Sequence, residues 1–134
     1  MTITVDTNLL VRALTNDHPV QARVAQAELL NAERVAIPTV SLCELAWVLA
    51  RGYKIAGADI ADAIDRITLA VNVVTDRPAV DAGLALLRSG GDFADGIIAF
   101  EGARMGGTTF VSFDAKAVSL LEAAGRAARL PRTH

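Results

Sequence analysis

Near its start the chain reads ITVDTNLLVRAL, residues 3–14, and this stretch decides the fold. Residues 3–5 are β-branched, which predicts a short buried strand that stops at Asp6. From Leu9 to Leu14 the apolar residues recur at helical spacing. A strand that passes into a helix at an acidic residue is the first half of a β–α unit, and repetition of that unit builds a parallel sheet.

The same alternation of strands and helices continues along the chain. We predict further helices over residues 19–33, 41–52, 57–70, 78–88, 93–105 and 115–124, and further strands over 34–38, 71–75 and 108–113, with room for one more strand in the tail, 126–134. In the helix over 19–33 the apolar residues Val20, Val24, Ala27 and Leu30 share one face. This order predicts an α/β fold whose parallel sheet is covered by helices on both faces.

Composition limits the class of protein. A chain of 134 residues fits one domain, residues 1–134, and its 52% hydrophobic content excludes a disordered chain. The net charge of −2 neither favours nor excludes a nucleic-acid partner. The single cysteine, Cys43, excludes an internal disulfide framework and suits a reducing cytoplasm. We expect no membrane span, because no apolar run is long enough, and no signal peptide.

Four acidic residues lie where a parallel sheet places its ligands. Asp6 follows the first strand, and Asp114 follows the strand over 108–113. Glu44 and Asp95 each lie near the beginning of a predicted helix. Because ligands bind beyond the carboxyl ends of parallel strands, we predict that these four carboxylates share one cleft.

Taken singly, each acid also has a purely structural explanation. Asp6 and Asp114 fit helix N-caps. The pattern Ser41-x-x-Glu44 fits a capping box. Asp95 fits the first turn of a helix, where the helix dipole favours an acid.

Convergence of the four acids would favour a metal site over four separate caps. Two carboxylates about 4 Å apart repel each other by about 4 kcal/mol at an effective dielectric near 20. Four of them in one cleft therefore need protons or a cation. Mg²⁺ and Mn²⁺ prefer oxygen ligands, and such an ion activates water for the hydrolysis of phosphodiesters.

Four segments together carry a family resemblance. These are ITVDTNLLVRAL, SLCELAWVLARGY, GGDFADGIIAFEGARMGG and TTFVSFD. Through them the chain resembles the PIN-domain ribonucleases, and most closely the VapC-type toxins of bacterial type II toxin–antitoxin modules. The resemblance covers nearly the whole chain and implies a three-layer α/β/α sandwich with a central, mainly parallel sheet.

The resemblance also implies a metal site and its ligands. The family's acidic residues fall on Asp6, Glu44, Asp95 and Asp114. Asp6 and Asp95 would hold Mg²⁺ or Mn²⁺, and the other two acids would complete its shell. Asn8 and Ser112 occupy positions that commonly support the metal site, whereas Asp92 is expected to cap a helix rather than bind the ion.

The activity that the resemblance implies is endonucleolytic cleavage of RNA, typically tRNA or rRNA. It further implies a homodimer in the cytoplasm and inhibition by a cognate VapB-type antitoxin. One alternative is a PIN nuclease with a housekeeping role in RNA processing or on DNA. Another is a phospho-acceptor signalling module, which also gathers acids at strand ends. That module needs a lysine after a late strand, and neither Lys54 nor Lys116 has that position.

Several other residues have two interpretations each. Arg12, Arg51 and Arg88 are candidates for phosphate contacts, with solvated surface as the simpler explanation. Trp47 lies among apolar residues and is expected to pack in the core or an interface rather than stack on a base. Cys43 is expected to be a small buried side chain rather than a nucleophile, because no histidine partner accompanies it.

Overall fold

A computed structural model describes residues 1–132 as two compact units, one comprising Met1–Asp76 and a second that begins at Arg77. In chain order the elements are β1 (Thr2–Thr4), α1 (Thr7–Leu14), α2 (Pro19–Asn31), β2 (Arg34–Ala36), α3 (Thr39–Arg51), α4 (Gly57–Thr68), β3 (Val73–Val74), α5 (Arg77–Arg88), α6 (Phe93–Arg104), β4 (Thr109–Val111), α7 (Ala115–Ala123) and β5 (Ala127–Arg129). The predicted α/β class with parallel strands is confirmed, and it is consistent with the α/β/α fold that the resemblance implies.

The first unit contains a parallel sheet in the order β1-β2-β3. In this sheet Ile3 pairs with Val35, and Val35 pairs with Val73. Helices connect the neighbouring strands because parallel strands require crossover connections. The carboxyl ends of β1 and β2 therefore lie at the same edge of the sheet, where Asp6 and the beginning of α3 follow.

The core of the first unit forms where apolar residues recur on the inner faces of its helices. Its largest fully buried side chains are Leu10, Val35, Ile37, Leu42, Leu45, Leu49, Ile60 and Ile64. At about 25 cal/mol per Å² of apolar surface, each of these large side chains contributes roughly 1.5–3 kcal/mol to the free energy of burial. This core holds α1 and α3 against the sheet, so the residues at their first turns have fixed positions.

The second unit contains β4 and β5, which pair in parallel with Phe110 opposite Ala128. Its core cluster consists of Leu86, Ala99, Val118, Leu121 and Ala128. The short connection between α6 and β4 reverses the chain, so the first turn of α6 and the end of β4 lie at the same edge. Asp95 and Asp114 occupy these two places.

The apolar face of α2 is not the face that is buried. Val20, Val24 and Leu30 are exposed by 66%, 59% and 81%, whereas Ala22 and Ala25 are buried. The physical reason is that α2 packs closely on α1 through small alanines, which leaves the larger apolar side chains on the outer face. Apolar residues recur at helical spacing on both faces of α2, so the spacing alone does not show which face is buried.

The other element predictions are close to the structure. The strand predicted in the tail is present as β5, and residues 133 and 134 of that tail lie outside the described residues. The helix predicted from Ser41 begins at Thr39 instead. None of the helices within residues 1–132 is both long enough and apolar enough to cross a membrane.

Candidate functional site

A pocket of about 520 Å³ opens in the first unit. Its lining side chains with polar groups are Asp6, Thr7, Asn8, Arg12, Ser41, Glu44 and Tyr53. The structure thus brings Asp6 and Glu44, which belong to different elements, into one pocket. Arg12 is the only cation among the described residues of this lining.

Two hydrogen bonds explain why Asp6 and Glu44 meet. The hydroxyl of Ser41 in α3 donates to the carbonyl of Val5 at 3.3 Å, and the hydroxyl of Thr7 donates to the carbonyl of Ser41 at 3.3 Å. These bonds fasten the first turn of α3 beside the turn that holds Asp6. Glu44 lies three residues after Ser41, so it is on the same side of the helix.

The predicted capping box in α3 is wrong. The N-cap of this helix is Pro38, and the helix has no side-chain cap hydrogen bond. Pro38 has an extended ψ of 148°, so the helix begins directly after it and Ser41 lies inside the first turn. The buried Ser41 hydroxyl bonds to Val5 instead of a cap position. Glu44 consequently lines the pocket rather than capping the helix.

The cap predictions for Asp6 and Asp114 are confirmed. Asp6 Oδ1 accepts a hydrogen bond from the backbone N–H of Leu9 at 3.0 Å, and Asp114 Oδ1 accepts one from Ala117 at 3.0 Å. Each capping bond involves one carboxylate oxygen. The second oxygen takes no part in it, so capping and metal binding are compatible for the same side chain.

Three acids interact in the second unit. Burial raises the pKa of Asp95, and the negative charges of Asp92 and Asp114 raise it further. Asp92 is the N-cap of α6, as predicted, and accepts from the N–H groups of Ala94 and Asp95 at 2.7 and 3.3 Å. Asp114 is therefore near enough for its charge to affect the pKa of Asp95.

The two supporting residues have different surroundings. Asn8 lines the pocket with Asp6. Ser112 follows β4, and its hydroxyl accepts a hydrogen bond from the backbone N–H of Asp114 at 3.0 Å. Ser112 therefore fixes the turn that presents Asp114.

Sequence reasoning missed a network around Asp17. Its carboxylate accepts hydrogen bonds from Tyr53 at 2.7 Å and Thr15 at 3.0 Å, and it lies 3.7 Å from the Arg12 guanidinium. The Tyr53 and Thr15 hydrogen bonds and the Arg12 charge lower the pKa of Asp17. No local motif links Asp17 to Tyr53, because their contact exists only once α1 and α3 have packed together.

A comparison with protein-family models shows which family the chain belongs to. The family model of the PIN domain matches residues 3–123. The chain belongs to the PIN domain family. No curated protein matches the chain. PIN domains are generally metal-dependent nucleases, so membership supports a hydrolase that binds nucleic acid.

The donor groups of this PIN domain fit a hard divalent cation in kind. Asp6 and Glu44 present carboxylate oxygens in the first unit, where Asn8 adds an amide oxygen beside its NH2 group, and Asp95 and Asp114 present carboxylate oxygens in the second. Within residues 1–132, no three His, Cys, Asp or Glu side chains stand close enough to hold a metal ion by themselves. Mg²⁺ commonly binds through one or two carboxylates and keeps several waters, so the remaining ligands would be water or phosphate oxygens.

Trp47 is not part of the core of the PIN domain. Its side chain is 59% exposed, and the Arg51 guanidinium lies 5.8 Å from its ring centroid. The physical reason is that α3 buries Leu45, Ala46 and Leu49, which places Trp47 on the opposite face. That Trp47 packs in an interface with a partner stays a prediction. Cys43 is only half-buried.

Replacing Asp95 with Asn is expected to raise the melting temperature slightly at neutral pH, since the side chain is only partly buried and solvent screens its charge. The folded pKa of Asp95 lies above its ordinary value of 3.8, so folding favours the protonated acid. The stability that this group contributes is complete below about pH 3.8 and is lost as the pH rises through the raised folded pKa. The difference in Tm between D95N and the wild type should therefore grow from acidic to neutral pH.

Asp81→Asn is the matched control, because Asp81 makes an exposed ion pair with Arg77 at 2.7 Å in the same unit. Its loss should leave Tm unchanged or lower it slightly. A Tm difference for D95N that stays constant with pH would contradict the electrostatic explanation.

Proposed function

We propose that this PIN domain is the toxin of a type II toxin–antitoxin module. As an endoribonuclease dependent on Mg²⁺ or Mn²⁺, it hydrolyses phosphodiester bonds in tRNA or rRNA. The observation that carries the proposal is the shared pocket of Asp6 and Glu44, in a chain whose residues 3–123 match the PIN domain. The effect of the Asp114 charge on the pKa of Asp95 adds support.

The four acids have distinct roles in the proposed mechanism. When bound, the divalent ion would supply Lewis acidity toward water and the scissile phosphate. Asp6 and Asp95 would hold the ion. Glu44 or Asp114 would orient the attacking water and accept its proton, because a carboxylate can act as a general base. Ser112 fixes the turn that presents Asp114, and Asn8 lines the pocket beside Asp6.

The proposed partners are a cognate VapB-type antitoxin and a second copy of the chain, in the cytoplasm. Large apolar side chains are exposed on both α2 and α3. They are Val20, Val24, Leu30, Val40 and Trp47. Exposed apolar surface of this kind is typical of protein interfaces, so it supports a chain that functions in an assembly.

Expression of the chain alone in a bacterium tests the proposal. We expect growth arrest, together with new RNA 5′ ends at one or a few positions when cellular RNA is sequenced after induction. Purified protein should cleave the same RNA with Mg²⁺ or Mn²⁺ and stop when the ion is chelated. Co-expression of the neighbouring small protein should restore growth.

The outcomes separate the alternatives. Cleavage of DNA, or maturation of RNA precursors without growth arrest, would select a housekeeping nuclease. Absence of cleavage together with stoichiometric phosphorylation by a small-molecule donor would select a signalling module. Either result would overturn the toxin proposal.

A further inference from the structure

The pocket that holds Asp6 and Glu44 also holds a fixed arginine. Arg12 lies in α1, and its side chain is only 24% exposed. Its Nε donates to Oε1 of Gln21 at 2.7 Å, and its Nη1 lies 3.7 Å from Oδ1 of Asp17. A guanidinium has five N–H donors, so these contacts orient the group and leave other donors for a ligand.

Asp17 connects this arginine to an aromatic side chain of the same pocket. Its Oδ1 faces Arg12, and its Oδ2 accepts the hydrogen bond of the Tyr53 hydroxyl at 2.7 Å. The hydroxyl of Thr15 bonds to Oδ1 at 3.0 Å. Because Arg12, Asp17 and Tyr53 come from separate segments, their contacts fix the rim of the pocket rather than a single helix turn.

The charge of the pocket explains why such an arginine matters. Two carboxylates line the pocket, and a nucleic acid brings further negative charge. A planar guanidinium is the side chain best suited to a phosphate, because it binds two oxygens at once. We propose that Arg12 binds a phosphate of the nucleic-acid substrate, and that Asp17 is the residue that positions it for that contact. The inference rests on the proposed nuclease function.

The direction of the Asp17 effect distinguishes positioning from simple charge. Asp17→Asn removes a negative charge from a protein that binds a polyanion, and by charge alone this change should tighten binding. If Asp17 positions Arg12, the same change should weaken binding instead. Tyr53→Phe removes the hydroxyl bond to Asp17 without changing charge, so it should also weaken binding.

The test measures the binding of a fluorescein-labelled single-stranded RNA by anisotropy across a salt series. All variants of the full chain carry Asp6→Asn, so that cleavage does not interfere. Arg12→Ala should raise Kd about tenfold. It should also reduce the slope of log Kd against log salt by about 0.7, which corresponds to one lost phosphate contact on a single strand.

Two matched controls lie at the opposite edge of the sheet. Arg34 begins β2, and Glu33 precedes it, so both lie at the amino end of the strand, away from the end that leads to α3. Arg34→Ala should leave the salt slope unchanged. Glu33→Gln gives up only an exposed ion pair with the amino terminus at 3.0 Å, so it should show the effect of one lost negative charge without a change in the pocket.

The inference is overturned if Arg12→Ala binds like Arg34→Ala, or if Asp17→Asn tightens binding like Glu33→Gln. In the background with Asp6 intact, Arg12→Ala should raise KM more than it lowers kcat. Cleavage by the wild type tests the proposed function separately. If the wild type bound the RNA without cleaving it, that function would fail, while the Arg12 and Asp17 measurements would still decide this inference.

Discussion

Asp6→Asn should lower the rate of RNA cleavage by at least about 100-fold. An outer-shell partner of a metal site is typically worth about 10–100-fold, and Asp6 is proposed to bind the ion directly. Asparagine keeps a side-chain oxygen for the cap on Leu9, so the helix start is preserved. The substitution therefore removes the negative charge and leaves the structural role intact. The measurement is a single-turnover cleavage rate on end-labelled RNA at saturating Mg²⁺ or Mn²⁺.

The two explanations of Asp6 predict different pairs of results. If Asp6 is only a cap, D6N keeps both activity and stability, and Asp6→Ala loses about 1 kcal/mol of stability. If Asp6 binds the ion, D6N melts like the wild type and does not cleave. Asp59→Asn, an exposed first-turn acid of α4 outside the pocket, is the control for a lost charge and should cleave normally. Full activity of D6N would contradict the proposal that Asp6 binds the metal ion.

The alternation of strands and helices was readable from the sequence because it depends on local periodicity. Strands such as β1 and β2 are short β-branched or apolar runs, and the helices between them carry apolar residues at spacings of three and four. The position of Asp6 and Glu44 near one edge of a sheet followed from topology alone. That Asp6 and Asp95 serve one metal ion stays a prediction.

The parts that the sequence did not reveal depend on packing between distant segments. The role of Ser41 is set by the carbonyl of Val5, which has no local signature near residue 41. Asp17 and Tyr53 meet only after α1 and α3 have packed. A local pattern such as Ser-x-x-Glu identifies a cap only where no tertiary partner competes for the serine.

The close packing of α5 on α6 also depends on contacts that the sequence pattern does not reveal. Two glycines, Gly83 and Gly96, allow the helices to approach. A Cβ at Gly96 would lie 2.6 Å from the carbonyl oxygen of Ala82 and 2.9 Å from Cα of Gly83. Both obstacles are backbone atoms, so α6 would have to move away from α5. A Cβ at Gly83 would lie 2.7 Å from the ring of Phe93, which is itself buried. The helix pattern of the sequence does not show that positions 83 and 96 must be glycine.

Gly96→Ala should therefore destabilise the protein by about 3 kcal/mol, at the upper end of the usual cost of overpacking. That loss corresponds to a fall in Tm of roughly 10 °C. Gly102→Ala makes the same change in the same helix, where the nearest atom to the new Cβ is the Gly107 carbonyl oxygen at 3.9 Å. It should stabilise the protein by about 0.4–1 kcal/mol, because alanine restricts the unfolded chain and favours the helix. Urea unfolding of both variants measures the difference, and Gly83→Ala should fall between them.

Equal stabilities for G96A and G102A would show that α6 does not pack on α5 as closely as these distances require. Since Asp95 immediately precedes Gly96, the displacement of α6 in G96A should also lower the cleavage rate, whereas G102A should cleave like the wild type.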